Sequence, residues 1–198
     1  MNDATPSDEQ TEATAARPVN PRVAELVDYV VRQRSLLLAA VSAVPEAQRD
    51  LRVTSDAWSV AGVLEHLHRV ETGVARLLVR SVERARASGA RAESEVSSLL
   101  GSLDSFGLVQ RDRRMEAPGP VLPRGEYNAS QALMALAASR NALLAAVREG
   151  DGLALSEITF PHPLLGTLNL YQWVLFVGQH EARHAAQIME IGRSLEGA

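Results

Sequence analysis

Four long stretches of this chain repeat apolar residues every three or four positions, and each is bounded by proline, glycine, asparagine or serine. Four such stripes can leave water only by packing on one another, so the pattern predicts an all-α four-helix bundle. The first stretch runs from about Pro21, a residue suited to a first helical turn, to Val44. It sets Val23, Leu26, Val27, Val30, Leu37 and Val41 on one face, with Pro45 behind it. The second begins after Trp58 with Ser59 as its cap, carries Val63, His66, Val70, Gly73 and Leu77 along one face, and stops before Gly89.

The third stretch opens at Asn128, with Gln131 at the spacing of a capping box, and ends at Gly150-Asp151-Gly152. The fourth starts near Asn169, with Gln172 at the same spacing, and aligns Trp173, Val177, His180, His184, Gln187 and Ile191. Between the second and third, Glu93 to Leu103 predicts a short extra helix. The rest, through the Pro- and Gly-rich run from Pro118 to Gly125, reads as a long crossover that lets its flanking helices run parallel. Ahead of the fourth stretch, Pro161 and Pro163 exclude helix from Ile158 to Gly166 and predict an extended lid or turn.

With 198 residues, 46% of them hydrophobic and 22% charged, the chain suits one domain over residues 21–198. Residues 1–20 are rich in Asp, Glu, Thr, Ala and Pro and read as a disordered tail. That tail has neither the basic start nor the apolar centre of a signal peptide, and no apolar run approaches membrane-spanning length. A cytoplasmic protein without a membrane partner is the expectation. A net charge of −4 gives no basic field for nucleic acid, and the run Arg111 to Arg114 reads as a solvated loop. The absence of cysteine excludes disulfides, a thiolate nucleophile and sulfur ligands, so any metal must be held by nitrogen and oxygen.

The chemistry concentrates in His180-Glu181-Ala182-Arg183-His184. Histidines four apart stand one turn above the other on a helix face, and here that face is apolar. Imidazoles turned into a core need either a hydrogen-bond partner or an ion, because an unsatisfied buried polar group costs a few kcal/mol. His66 and His68 compete to be a third ligand. They differ by roughly 200° around a helix, and the stripe Val63, His66, Val70 selects His66. His68 is then expected on an exposed flank with Glu65 and Glu71. Gly62 and Gly73 either leave room beside the ion or allow close helix packing.

Three neutral nitrogens leave coordination positions open, as catalytic sites do. Zinc and nickel suit such ligands, with iron and manganese as further candidates. The pattern H-E-x-x-H also matches zincin proteases. Their downstream ligand is missing, since Gln187 and Glu190 occupy the places where glycine and histidine are needed. Glu65-x-x-His68 with Glu181-x-x-His184 matches di-iron bundles, but the other two helices offer only Glu25 and Glu149, both near helix ends. Glu181 is either a general base for water at the ion or a rim neighbour of Arg183. Arg140, on the stripe of Leu136, Leu143 and Leu144, either clamps a substrate carboxylate or snorkels to the surface. His162, between two prolines, is expected in a substrate-facing lid and not as a ligand.

Trp58-Ser59-Val60-Ala61-Gly62-Val63-Leu64-Glu65-His66-Leu67, His180-Glu181-Ala182-Arg183-His184-Ala185-Ala186-Gln187-Ile188, and Phe160 to Gly166 followed by Leu170-Tyr171-Gln172-Trp173 together resemble the DinB-like superfamily of bacterial four-helix bundles. The resemblance spans nearly everything after the tail. It implies an up-up-down-down bundle that binds a divalent ion through His66, His180 and His184, and it makes a homodimer an expected assembly. It also implies a metal-dependent enzyme acting on a small molecule, either a hydrolase or an S-transferase using a low-molecular-weight thiol. A metal-stabilised stress or interaction protein without catalysis is the alternative, and a nucleic-acid module ranks last.

Overall fold

A computed structural model describes residues 18–112 and 115–197. The expected tail therefore lies outside the described residues except for its last three, and so do Arg113 and Arg114 of the arginine run. Four helices carry the fold: α1 (Pro21–Ser42), α2 (Val60–Ala87), α3 (Ala129–Glu149) and α4 (Leu170–Glu196). Each starts where a side chain can take up the free amide groups of the first turn. The Ser59 hydroxyl accepts from the Gly62 amide at 3.1 Å, and Asn128 with Gln131 and Asn169 with Gln172 form reciprocal capping boxes.

The bundle buries two apolar clusters. One gathers Val23 and Leu26 of α1, Val74 and Leu78 of α2, Leu143 and Val147 of α3, and Leu170 and Val174 of α4. The other gathers Leu37 and Val41, Val60 and Val63, Ala132 and Leu136, and Ala185 and Ile188 of the same four helices in order. The start of α1 thus lies with the ends of α2 and α3 and the start of α4. The helices run up, down, down, up, so the expected up-up-down-down order is corrected. The physical reason is the placement of the long connection: it joins α2 to α3 and keeps those two parallel, as its length predicts, while the shorter links on either side reverse direction.

Helix α1 packs on α4, α2 packs on α3, and α2 also meets α4. The α1–α4 contact is close enough that a Cβ on Gly178 would overlap the Tyr29 ring. Two short strands, β1 (Thr159–His162) and β2 (Gly166–Asn169), form an antiparallel hairpin ahead of α4, with Thr159 opposite Asn169 and His162 opposite Gly166. Gly166 (φ +75°) turns the chain where other residues would be strained. The extended lid expected from Pro161 and Pro163 is this hairpin.

The short helix expected over Glu93 to Leu103 does not form. Side chains of α1 and α4 hold this segment in open conformation: Arg22 donates to the Ser97 carbonyl, Glu25 accepts from the Leu99 amide, and the Tyr171 hydroxyl donates to Glu93. The first two of those bonds occupy backbone groups that a helix would have paired internally. Farther along, the crossover is gripped by α2. The Glu65 carboxylate accepts from the Arg124 and Gly125 amides at 2.9 and 3.0 Å and from Arg69. Glu65 and Glu71 are both fully buried, which corrects their expected place on an exposed flank; His68 is half-buried, with its ring edge toward Tyr127.

Candidate metal centre

Ser59 fixes the start of α2, and helical phase then turns His66 inward, opposite a face of α4 that carries His180 and His184. His66 Nε2 and His184 Nε2 each lie 3.1 Å from His180 Nε2, and the three nitrogens fall within 4.8 Å of one another. The other ring nitrogen explains why they converge. His66 Nδ1 lies 2.8 Å from the Val121 carbonyl, which can only accept, so this nitrogen carries the proton and Nε2 presents a lone pair. His184 Nδ1 donates in the same way to Gln187 Oε1 at 2.7 Å.

One proton on His180 cannot bridge two lone pairs at once, whereas a cation among the three nitrogens satisfies all of them. The spacings suit a small divalent ion, since nitrogens about 2.1 Å from a tetrahedral metal are about 3.4 Å apart. Burial pushes all three imidazoles down, His184 to about 3, with neighbouring histidines adding to the effect at His180 and His184, so the rings are neutral near pH 7. The donor set therefore fits a metal, and the Val121 and Gln187 contacts are the orienting partners that such ligands require.

Aromatic rings wall the site. Trp58 stacks on His184 with centroids 6.4 Å apart and lies 5.0 Å from His66, while Phe176 stacks on His180 at 5.1 Å. Above the nitrogens opens a cavity of about 980 Å³, lined by α2, α4, the hairpin and the crossover. His162 lines it from the hairpin. Its ring lies 4.6 Å from Phe176 and 4.9 Å from Trp173, and its Nδ1 accepts the Leu164 amide. Arg111, at the start of the arginine run, is half-buried and forks onto Glu190, so it is not solvated as expected.

Glu181 and Arg140 go elsewhere, which corrects both expected roles. Neither lines the cavity. Glu181 accepts from Arg34 Nε and from an Arg140 terminal nitrogen, both at 2.7 Å, and Arg140 Nε donates to Glu71 at 2.6 Å. Arg34 also donates to Glu71 at 2.9 Å, and the Ser139 hydroxyl completes that carboxylate at 2.6 Å. The two carboxylates and two guanidiniums, one group from each helix, form a closed buried layer. Glu181 therefore has no oxygen left to act as a base at the ion, and Arg140 has no face turned to substrate. Arg34 and Glu71 were missed by the sequence reading, although Arg34 stands on the stripe of Val30 and Leu37.

Gly62 and Gly73 differ in their surroundings. A Cβ on Gly62 would make ordinary contacts with Trp58 and Pro123 at 3.5 and 3.8 Å, so Gly62 lies against packed neighbours that do not themselves require glycine. A Cβ on Gly73 would meet nothing within 4 Å, so Gly73 leaves space in the cavity.

Comparison with known proteins follows this geometry. A family model described as the DinB superfamily matches residues 29–188. The protein YuaE of Bacillus subtilis (strain 168), described as uncharacterized, is 30% identical over 149 residues, spanning 73% of this chain and 83% of its own. The crystal structure of TT2238, described as a four-helix bundle protein, aligns with a TM-score of 0.52 at 21% identity, over 89% of this chain and 99% of that one, and supports the fold.

Proposed function

Since the chain belongs to the DinB superfamily, we propose that it is a divalent-metal-dependent enzyme whose ion is held by His66, His180 and His184 and whose small-molecule substrate enters the cavity above them. The observation that carries this reading is the meeting of three Nε2 atoms on the floor of that cavity, the one on His66 held to a lone pair by the Val121 carbonyl and the one on His184 paired through its other nitrogen with Gln187. Zinc or nickel suits the all-nitrogen set, with iron and manganese as further candidates. Bound there, the ion supplies Lewis-acid activation of a water or a thiol at a coordination position left open by the protein.

The chain's own residues do the rest. Val121 and Gln187 hold the ligand rings in one tautomer, and Trp58 and Phe176 keep bulk water off them. His162 presents its ring to whatever lies beneath the hairpin.

Transfer to a low-molecular-weight thiol accounts for more of the structure than hydrolysis does. The cavity lies at the upper end of the ~300–1,000 Å³ range of small-molecule sites, which gives room for a thiol and an acceptor together. The absence of cysteine fits either route, since water or a thiol would both come from outside the protein.

Elemental analysis of the purified protein beside the single His66→Ala, His180→Ala and His184→Ala variants tests the centre: bound metal is expected in the parent and is lost from each folded variant. A parent without metal, or variants that keep it, overturns the proposal. For the reaction, the cobalt or nickel form should gain a sulfur-to-metal charge-transfer band with a cognate thiol. No band with any thiol, together with metal-dependent turnover of an ester panel, assigns hydrolysis instead.

A further inference from the structure

The cavity has two unlike ends, separated by the histidines. Because α2 and α4 are antiparallel, residues after His66 and residues before His180 lie toward the same end, and at 1.5 Å per residue Gly73 and Trp173 are both about 10 Å from the triad. That end is walled by Val70, Val74 and Leu77 of α2, Trp173 and Phe176 of α4, and Leu164 of the hairpin. The side chains that α4 and the hairpin contribute there carry no charge, burial lowering the His162 pKa, and Arg69, the charged residue that α2 adds to the lining, has its guanidinium taken by Glu65 and Glu126. The rings of His162, Trp173 and Phe176 meet one another at edge-on or tilted angles, with centroids 4.6 to 6.0 Å apart. Gly73 opens the α2 wall between Val70 and Leu77, where a side chain would project into empty space.

The opposite end is polar. Beyond His180, helix α4 offers Arg183, Gln187, Glu190 and Ser194 to the cavity beside Trp58 and Ile191, and Arg111 joins them through its pair with Glu190. A charged or zwitterionic group is compatible with this end and would be stripped of water without compensation at the other.

We infer that the end bounded by Gly73, Leu77, Phe176 and Trp173 is a subsite for an uncharged aromatic group, the body of the acceptor substrate, and that the polar end receives the charged partner. Edge-on rings around an open slot favour an aromatic occupant, because offset and edge-to-face contacts add to the area that it buries. This inference rests on the proposed small-molecule chemistry for the identity of the occupant, but the slot itself needs no metal.

N-phenyl-1-naphthylamine, an uncharged dye that brightens on leaving water, serves as the probe. The parent protein is expected to bind it with or without chelator. Gly73→Leu fills the slot and should weaken binding by about tenfold or more, while Ser194→Leu at the polar end leaves it unchanged. Melting temperatures of both variants, and metal content measured on the same preparations, accompany the titrations. Absence of dye binding to the parent, equal binding to the Gly73→Leu protein, or equal weakening by Ser194→Leu overturns the inference. A metal-free parent that still binds the dye in the expected pattern overturns only the proposed metal chemistry and leaves the subsite standing.

Discussion

Two polar layers lie inside the same bundle, and they solve the problem of burial in opposite ways. The layer of Arg34, Glu71, Arg140 and Glu181 takes one charged group from each helix and closes on itself, every carboxylate oxygen meeting a guanidinium or a hydroxyl. The layer of His66, His180 and His184 draws on only two helices, and its nitrogens face one another as acceptors. Completeness marks the first as framework, and the unmet acceptors mark the second as a place for something from outside. Adjacent residues, His180 and Glu181, serve the two layers, so neighbouring positions on one helix can differ entirely in purpose.

The contrast can be broken most forcefully at Glu71. Replacing it with alanine leaves two buried arginines to share the single carboxylate of Glu181, and chemical denaturation of the metal-free protein should show a loss of about 3–5 kcal/mol. A loss below 1 kcal/mol would mean that the ion layer is not the framework described here. Metal comes next: at a hundredfold excess over its dissociation constant, an ion that binds only the folded state adds about 2.7 kcal/mol. Chelator should remove this increment from the parent, and His184→Ala, read by the same unfolding curves, should never show it.

A smaller effect is expected at Gln187, which only orients His184. Gln187→Ala should weaken metal binding by about 10–100-fold in competition with a chelating dye and leave the fold unchanged. The smallest effect is one of pH. The folded imidazoles of the triad lie below their unfolded value near 6.5, so the unfolded chain takes up protons first as acid is added. Their contribution to stability is whole above pH 6.5 and declines as pH falls below it, for His184 until pH approaches about 3. Urea midpoints of the metal-free parent between pH 7 and 5 should fall, and His184→Gln should flatten the slope.

Much of this was legible in the chain. Periodicity found the four helices, the paired Asn and Gln residues found two of their starts, and helical phase chose His66 over His68. The ion layer was not legible, because an arginine or glutamate on an apolar stripe has no partner within its own helix, and its partners lie 37 to 147 residues away. Glu71 was misplaced for a related reason. Helix α2 buries two faces, one against the core through Leu67, Val74 and Leu78 and one toward the cavity through His66, Val70 and Gly73, and one stripe had been assumed. The segment from Glu93 was misread because local pattern could not reveal that Arg22, Glu25 and Tyr171 would claim its polar groups. Roles for Glu181 and Arg140 failed similarly: their inward direction was foreseeable, their company was not.

The grip of Glu65 on Arg124 and Gly125, beside that of His66 on Val121, fastens the end of the crossover to the very turn of α2 that carries His66. Insertions or deletions farther upstream in that connection can therefore reshape the mouth of the pocket while the cradle keeps its dimensions. A scaffold arranged in this way can change what its cavity admits by exchanging its entrance, with the three histidines left where they stand.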